Sequence, residues 1–153
     1  MKKIIVLYDS WHHHNTEKLL QGCGEKCQGK VTVDLCSLHD GNAVPDLSSY
    51  DAIGFASGVY AGRMSEKILA SIKENQTALT DRTILFFSTS GFTNTKAMKN
   101  AAGMIPDSTV KGMFACPGWN TFGPFKLIGG TSKNHPNETD MQKAADFVIE
   151  AMK

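Results

Sequence analysis

The sequence predicts an α/β fold: a doubly wound, three-layer sandwich around a five-stranded parallel sheet. Short apolar runs of strand length alternate along the chain with segments of helical periodicity, which is typical of parallel β-α-β units. The most apolar run, Thr83–Ser88, is rich in β-branched and aromatic residues, as expected of a strand buried on both faces. With 153 residues, of which 41% are hydrophobic, the chain is expected to form a single domain, 1–153, around its own core.

The predicted elements follow one another in regular order. Strands are predicted at about Lys3–Tyr8, Val31–Cys36, Asp51–Ser57, Thr83–Ser88 and Val110–Cys116. Helices are predicted at about Asn15–Lys26, Met64–Glu74, Thr95–Met104 and Asn137–Met152. Apolar and polar residues alternate in the second strand, which indicates an edge position. With right-handed crossovers, the expected strand order is 2-1-3-4-5.

This strand order also predicts where a ligand binds. In an open parallel sheet, ligands bind at the carboxyl ends of the strands, where the strand order reverses. The segments that follow the first, third and fourth strands meet there: Ser10–Thr16, Ser57–Gly62 and Ser88–Phe92. Each segment combines Ser, Thr or Gly with an aromatic residue, so we expect the three to form one site.

The segment after the first strand has the features of a phosphate site. It leads directly into a helix, whose free N–H groups and dipole attract an anion. Ser10, Asn15 and Thr16 add side-chain donors. The chain has neither the G-x-G-x-x-G of dinucleotide-binding proteins nor the Gly-Lys-Ser/Thr of a Walker A loop. Taken alone, Ser10 and Thr16 are equally well explained as turn and N-cap residues.

This loop, which includes Tyr8, Ser10, Asn15 and Thr16, resembles the phosphate loop of the flavodoxin family. That family typically carries Ser/Thr-x-Thr-Gly-Asn-Thr after its first strand, around the phosphate of FMN. His14 stands where the family has Gly, and the loop is one residue longer. The order of elements extends the resemblance to the whole chain. It implies a flavodoxin-like fold, a non-covalently bound FMN and redox chemistry without a catalytic protein residue.

By this resemblance, the cofactor-binding residues lie in the three segments described above. The first contributes Ser10, Trp11, His12, His13, His14, Asn15 and Thr16. The second and third contribute Ser57, Gly58, Val59, Tyr60, Ala61 and Gly62, and Ser88, Thr89, Ser90, Gly91 and Phe92. Tyr60 is the first choice for stacking on the flavin and Phe92 the second, with Trp11 close to the phosphate. The alternative is that Tyr60 and Phe92 merely cover the end of the sheet.

Two features allow more than one interpretation. The run His12–His14 is predicted to place one or two imidazoles at the FMN phosphate. A metal site is not predicted, because consecutive residues in a turn rarely converge on one ion. The connector Pro117–Pro136 is long for an unstructured loop, which often marks a binding loop. Its Trp119 and Phe122 either close over the flavin or pack under the last helix.

Composition and charge exclude several functional classes. The chain carries 16 Lys and Arg against 15 Asp and Glu, with no basic block that would indicate a nucleic-acid surface. It has no apolar run of about 18 residues and no signal-peptide pattern, so a cytoplasmic location without a membrane partner is expected. The four cysteines have no zinc or C-x-x-C spacing, which fits a reducing compartment. A phosphoacceptor response regulator would need Asp where the third strand ends, and this chain has Ser57.

The predicted function is electron transfer through bound FMN to a redox partner protein or a small-molecule acceptor. Electron-carrier flavodoxins are typically strongly acidic, whereas this chain has a net charge of +1. One alternative is therefore an FMN-dependent oxidoreductase that reduces a quinone or a similar small acceptor. The replacement of Gly by His14 raises another, an interaction module of the same fold that binds no flavin.

Overall fold

The computed structural model describes residues 1–91, 93–121 and 123–153, with residues 123–125 described by their backbone only. Its strands are β1 (Lys2–Asp9), β2 (Val31–Ser37), β3 (Ala52–Tyr60), β4 (Arg63–Met64), β5 (Thr83–Ser90) and β6 (Thr109–Pro117). Its α-helices are α1 (Asn15–Cys27), α2 (Glu66–Glu74), α3 (Gln76–Leu79), α4 (Lys96–Ala102) and α5 (Glu138–Ala151). Short 3-10 helices span Leu47–Ser49 and Gly123–Ile128.

The long strands form a parallel sheet in the order β2-β1-β3-β5-β6. Counted without the two-residue β4, this is the predicted order 2-1-3-4-5, and the predicted edge position of the second strand is confirmed. The sheet reverses its direction of winding between β1 and β3, where Asp9 at the end of β1 lies beside Ser57 of β3. The predicted ligand position is therefore at the carboxyl ends of β1, β3 and β5.

The hairpin that follows β3 was not predicted. Arg63–Met64 forms β4, antiparallel to Val59 and Tyr60, and α2 begins only at Glu66. The prediction of a helix from Met64 was therefore wrong by two residues. Ala61 and Gly62 form the two-residue turn, and their φ angles of 50° and 77° are those of a type I′ turn. A turn with Ala at its first central position carries a weak sequence signal, which explains the error.

The sheet is covered on both faces, as a parallel sheet requires. On one face, side chains of α1 and α5 such as Leu19, Cys23 and Val148 pack against β1, β3 and β5. On the other face, α2 and α4 pack against alternate residues of the same strands, with Phe55 and Phe86 fully buried. Full burial of each such side chain contributes about 1.5–3 kcal/mol. The four cysteines are buried free thiols.

Two local features shape the helices beside the site: a capping box at the start of α5, and a glycine in α1 that allows close packing. Asn137 and Asp140 form a capping box at the start of α5, with mutual hydrogen bonds of 3.0 and 2.9 Å between backbone N–H and side-chain oxygen. In α1, Gly22 allows close contact with α5, because a Cβ there would lie 2.2 Å from Met141 Sδ. The second glycine of α1, Gly24, is not needed for such a contact, because a Cβ there would meet only Val33, at 3.8 Å.

Several element boundaries differ from the predicted ones. β3 continues to Tyr60 and β5 to Ser90, so parts of the predicted loops Ser57–Gly62 and Ser88–Phe92 are strand. The short helix α3 was not predicted, and α4 is shorter than the helical pattern. Within the described parts of the chain, no helix is both long and apolar enough to cross a bilayer.

Candidate functional site

A cleft lies at the carboxyl ends of β1, β3 and β5, where the strand order predicts it. Its walls come from four segments: the loop after β1, the end of β3, the end of β5 and the chain after β6. The lining residues are Ser10, His12, Asn15, Thr16, Gly58, Val59, Tyr60, Thr89, Ser90, Gly91, Gly118, Trp119 and Asn120. Three of these segments are the predicted ones, and the structure brings them together.

The β1–α1 loop, which lines part of this cleft, carries backbone donors at the start of α1. His13 and His14 have left-handed conformations, with φ angles of 54° and 53°, and α1 begins directly after them. The N–H groups of residues 13–16 donate no hydrogen bond to any described residue. His14, which stands where the family has Gly, thus adopts the left-handed backbone conformation that glycine favours. Consecutive N–H groups in such a turn form a concave site for an anion.

Hydroxyl and amide groups complete this end of the cleft. Ser10 is buried and its Oγ accepts a hydrogen bond of 3.1 Å from Glu17 N, which leaves the Ser10 proton to donate elsewhere. Thr16 Oγ1 lies 2.9 Å from Thr89 Oγ1, and this contact joins α1 to β5. Ser10 therefore satisfies an N–H group in the first turn of α1 and also lines the cleft, while its role at a phosphate stays a prediction.

Asn15 connects the loop to the chain after β6. Its Nδ2 donates a hydrogen bond of 2.9 Å to Trp119 O, while its buried Oδ1 has no hydrogen-bond partner among the described residues. A Cβ at Gly118 would lie 2.8 Å from Asn15 Nδ2, so the two residues are in close contact. A buried acceptor without a donor is costly, and Asn15 Oδ1 is therefore suited to a ligand hydroxyl.

The three histidine rings contact this chain's own residues. His12 Nε2 accepts a hydrogen bond of 3.3 Å from Thr121 N, and His13 Nε2 lies 2.8 Å from Thr121 Oγ1. The His13 ring stacks on Trp119 at 3.7 Å, and His14 Nδ1 lies 3.3 Å from Glu17. Burial lowers the pKa of His12 and of His13, which favours the neutral imidazoles. A contact between an imidazole and a phosphate stays a prediction.

An aromatic pair stands at the other end of the cleft. The Trp11 and Tyr60 rings are stacked, with centroids 5.1 Å apart and planes inclined by 16°. Trp11, which was expected close to the phosphate, is a half-exposed ring that backs Tyr60 and does not line the cleft, so its place relative to a phosphate stays a prediction. Burial, together with the charge of Asp9, raises the pKa of Tyr60 to about 12. Its hydroxyl is neutral throughout the physiological range.

Gly58 and Gly91 line the cleft at the ends of the neighbouring strands β3 and β5, and side chains of this chain stand against both. A Cβ at Gly58 would lie 2.8 Å from Tyr60 Oη, and a Cβ at Gly91 would lie 2.7 Å from Asn120 Nδ2. The predicted approach of a ligand to these two backbones therefore requires the Tyr60 or Asn120 side chain to turn aside.

Some predicted site residues, among them His13 and His14, do not line the cleft. Ser57 is fully buried and its Oγ donates to Gly58 O at 2.7 Å and accepts from Ser65 N at 3.1 Å, so it stabilises the β3 end. Ser88 is buried below the cleft, and Ala61 and Gly62 lie on the exposed hairpin turn. Phe92 and Phe122 lie outside the described residues.

The chain after β6 was only partly anticipated. Trp119 was a candidate for covering the site, and the structure places it in the cleft wall, held by Trp119 N donating to His135 O at 3.1 Å. Gly118 and Asn120 were missed. Their only signal in the sequence was position, because the sixth strand ends at the same edge of the sheet as β1, β3 and β5.

Comparison with known proteins agrees with this fold. Residues 5–130 match the model of the family described as "Flavodoxin domain". An uncharacterized protein of Methanocaldococcus jannaschii is 35% identical over 157 residues, which cover 99% of each chain. A flavodoxin from the domain Archaea superposes with a TM-score of 0.72 at 18% identity, over 97% of this chain and 95% of the other.

The fold also occurs inside larger proteins. The rubredoxin:oxygen oxidoreductase of Desulfovibrio gigas matches with a TM-score of 0.65 at 15% identity, over 99% of this chain but 36% of that one. These structural likenesses show the fold, and the family match extends over most of the sequence. The chain belongs to the flavodoxin domain family.

Proposed function

We propose that this protein binds FMN non-covalently in the cleft and acts as a redox protein. The observation that carries the proposal is the row of N–H groups at residues 13–16, which donate to no described residue and lead into a cleft that Asn15 and Thr16 line at the switch point of the sheet. These donors suit a dianionic phosphate, and the adjoining cleft has an aromatic wall suited to a flat ring.

The residues present fit the parts of FMN. The N–H groups of residues 13–16 and the hydroxyls of Ser10 and Thr16 would hold the phosphate. Asn15 Oδ1, which is buried and receives no hydrogen bond from the described part of the chain, would accept from a ribityl hydroxyl. The ring would lie against Tyr60, with the Asn120 side chain turned away from Gly91. Lys18 lies close enough for its charge to lower the pKa of His13, and it supplies a cation that the loop itself lacks.

Bound FMN supplies the ability to take up and release electrons, and the protein's part is to bind and orient it. Tyr60 would exclude water from one face of the ring and supply a neutral, weakly polar surface. The backbone at the ends of β3 and β5 would supply hydrogen bonds to the ring edge. No side chain of the cleft is assigned a catalytic role.

The test is a direct measurement of cofactor binding. The purified protein should show flavin absorption, and mass spectrometry of the released cofactor should identify FMN and not FAD. We expect flavin-free protein to bind FMN at least about 100-fold more tightly than riboflavin, because two hydrogen bonds to a charged phosphate contribute about 3 kcal/mol or more. Equal affinity for FMN and riboflavin would show that the β1–α1 loop does not bind the phosphate. The absence of both fluorescence quenching and calorimetric heat would favour the flavin-free interaction module.

A second candidate function is reduction of a small acceptor such as a quinone. A hollow beside the cleft shares the Tyr60 wall and is also lined by Trp11, Met64 and Lys67. Such a hollow, with a mixed apolar and charged lining, suits a small aromatic acceptor. Steady turnover of a quinone with NADH or NADPH and FMN-loaded protein would support this activity. If the bound flavin is reduced only by a protein donor, the electron carrier is the correct alternative.

A further inference from the structure

Although the net charge is close to zero, basic and acidic residues are unevenly distributed across the sheet. Residues 82–137, which include β5, α4, β6 and the connector after β6, contain six Lys or Arg residues and one acidic residue, Asp107. The remainder of the chain contains ten basic and fourteen acidic residues. Because β5 and β6 lie at one side of the sheet, the positive charge is concentrated on that side.

Part of this positive charge lies near Trp119, in the wall of the cleft. Trp119 Nε1 donates a hydrogen bond of 3.0 Å to Gly129 O, which holds the 3-10 helix Gly123–Ile128 close to the cleft. Lys133 Nζ lies 5.8 Å from the centre of the Trp119 ring. Lys126 extends from the same 3-10 helix and is exposed.

Two large apolar side chains that lie between these lysines in the sequence are exposed. Leu127 is 90% exposed and Ile128 is 74% exposed. We call the surface formed by Lys126, Leu127, Ile128 and Lys133 the basic rim. An exposed apolar pair flanked by cations, next to a functional cleft, has the composition of a docking surface with an apolar centre and a charged edge.

The acidic residues that follow Lys133 most closely in the sequence, Glu138 and Asp140, have other partners. Asp140 is buried, where it accepts hydrogen bonds from Asn137 N and lies 2.6 Å from His135 Nδ1. Glu138 is paired with Lys26 at 2.8 Å. Among the described residues, no carboxylate forms an ion pair with Lys126 or Lys133. The rim therefore presents uncompensated positive charge to the solvent.

We propose that the basic rim docks an acidic electron-transfer protein, which brings that protein's redox centre to the Trp119 side of the cleft. The redox role of the docked protein rests on the proposed function. The docking itself rests on the charge and the exposed apolar side chains of the basic rim. Charge complementarity of this kind mainly accelerates and orients association, and the contact between apolar groups slows dissociation. The expected partner carries a cluster of carboxylates around an apolar contact.

The test measures binding to an acidic probe, oxidised plant-type [2Fe–2S] ferredoxin, by calorimetry at low and at physiological salt. The double variant Lys126→Glu/Lys133→Glu is compared with Lys30→Glu/Lys73→Glu, which changes the net charge equally at exposed lysines elsewhere. We expect the rim variant to weaken binding about ten-fold or more at low salt and to reduce the salt dependence. The control should change the affinity by less than about two-fold.

A further variant separates the apolar contribution from the electrostatic one. Leu127→Ser/Ile128→Ser should weaken ferredoxin binding while leaving its salt dependence unchanged. Equal weakening by the rim and control variants, or no binding of ferredoxin at low salt, would overturn the proposal. The binding measurement uses both FMN-loaded and flavin-free protein. Rim-dependent binding by a protein that takes up no FMN would refute the proposed function and leave the docking surface standing.

Discussion

Replacing Tyr60 with Ala tests whether the aromatic wall of the cleft holds the flavin. Tyr60 lines the cleft and is stacked on Trp11 at 5.1 Å. An aromatic pair contributes about 0.5–1.5 kcal/mol beyond the burial of its area. Tyr60→Ala removes the contact between the ring and the flavin and also leaves the Trp11 ring without its neighbour. We therefore expect FMN affinity to fall by about 1–2 kcal/mol, which corresponds to a Kd about 5- to 30-fold higher.

Two further variants show which part of Tyr60 matters. Tyr60→Phe keeps the ring and should leave Kd within about two-fold, because the hydroxyl, with a pKa of about 12, is uncharged in any practical assay. Trp11→Ala should weaken binding by less than Tyr60→Ala, since Trp11 supports Tyr60 from outside the cleft.

The assay is titration of flavin-free protein with FMN, followed by quenching of flavin fluorescence. Thermal unfolding of each variant confirms that it is folded. The midpoint potential of the bound flavin should also shift in Tyr60→Ala, because one face of the ring would be exposed to water. If Tyr60→Ala kept the wild-type Kd and potential, the stacking role would move to another aromatic residue, with Trp119 the first candidate.

Three further predictions concern stability. Gly24→Ala should raise the free energy of unfolding by about 0.5–1 kcal/mol. Gly22→Ala should be less stable than Gly24→Ala by about 1–3 kcal/mol, because its Cβ would overlap Met141. Urea denaturation measures both differences. Ala61→Asn should add about 0.5–1 kcal/mol, because Asn adopts positive φ more readily, and an unchanged midpoint would argue against the type I′ turn. The stability of flavin-free protein should fall as the pH drops below about 6.5, since burial lowers the pKa of His13 and only the unfolded chain then takes up the proton. His13→Gln should make this decline shallower, and an identical pH profile would contradict the assignment.

The sheet and the position of the cleft could be predicted because both follow from local patterns. Strand-length apolar runs such as Thr83–Ser88 identify the strands, and right-handed crossovers then restrict their order. The order places the β1, β3 and β5 ends together, whatever the detailed packing. The Asn137–Asp140 capping box was predictable for the same reason, since its partners are three residues apart.

The detailed contacts of the cleft could not be predicted, because their partners are far apart in the chain. His13 and Thr121 are separated by 108 residues, and Asn15 and Trp119 by 104. The positions of Trp11 on Tyr60 and of Asn120 against Gly91 likewise depend on side-chain packing that no local period encodes.

The amino-acid sequence by itself determined the parallel sheet, its strand order and the loop that turns from β1 into α1. These depend on hydrophobic periodicity and on chain connectivity, which act over a few residues at a time. Only the tertiary structure decided that the chain after β6 forms the fourth wall of the cleft, that the histidine rings contact it, and that Lys126 and Lys133 flank an exposed apolar pair. Those features arise where distant segments meet, and their energies are set by packing and burial rather than by the order of neighbouring residues.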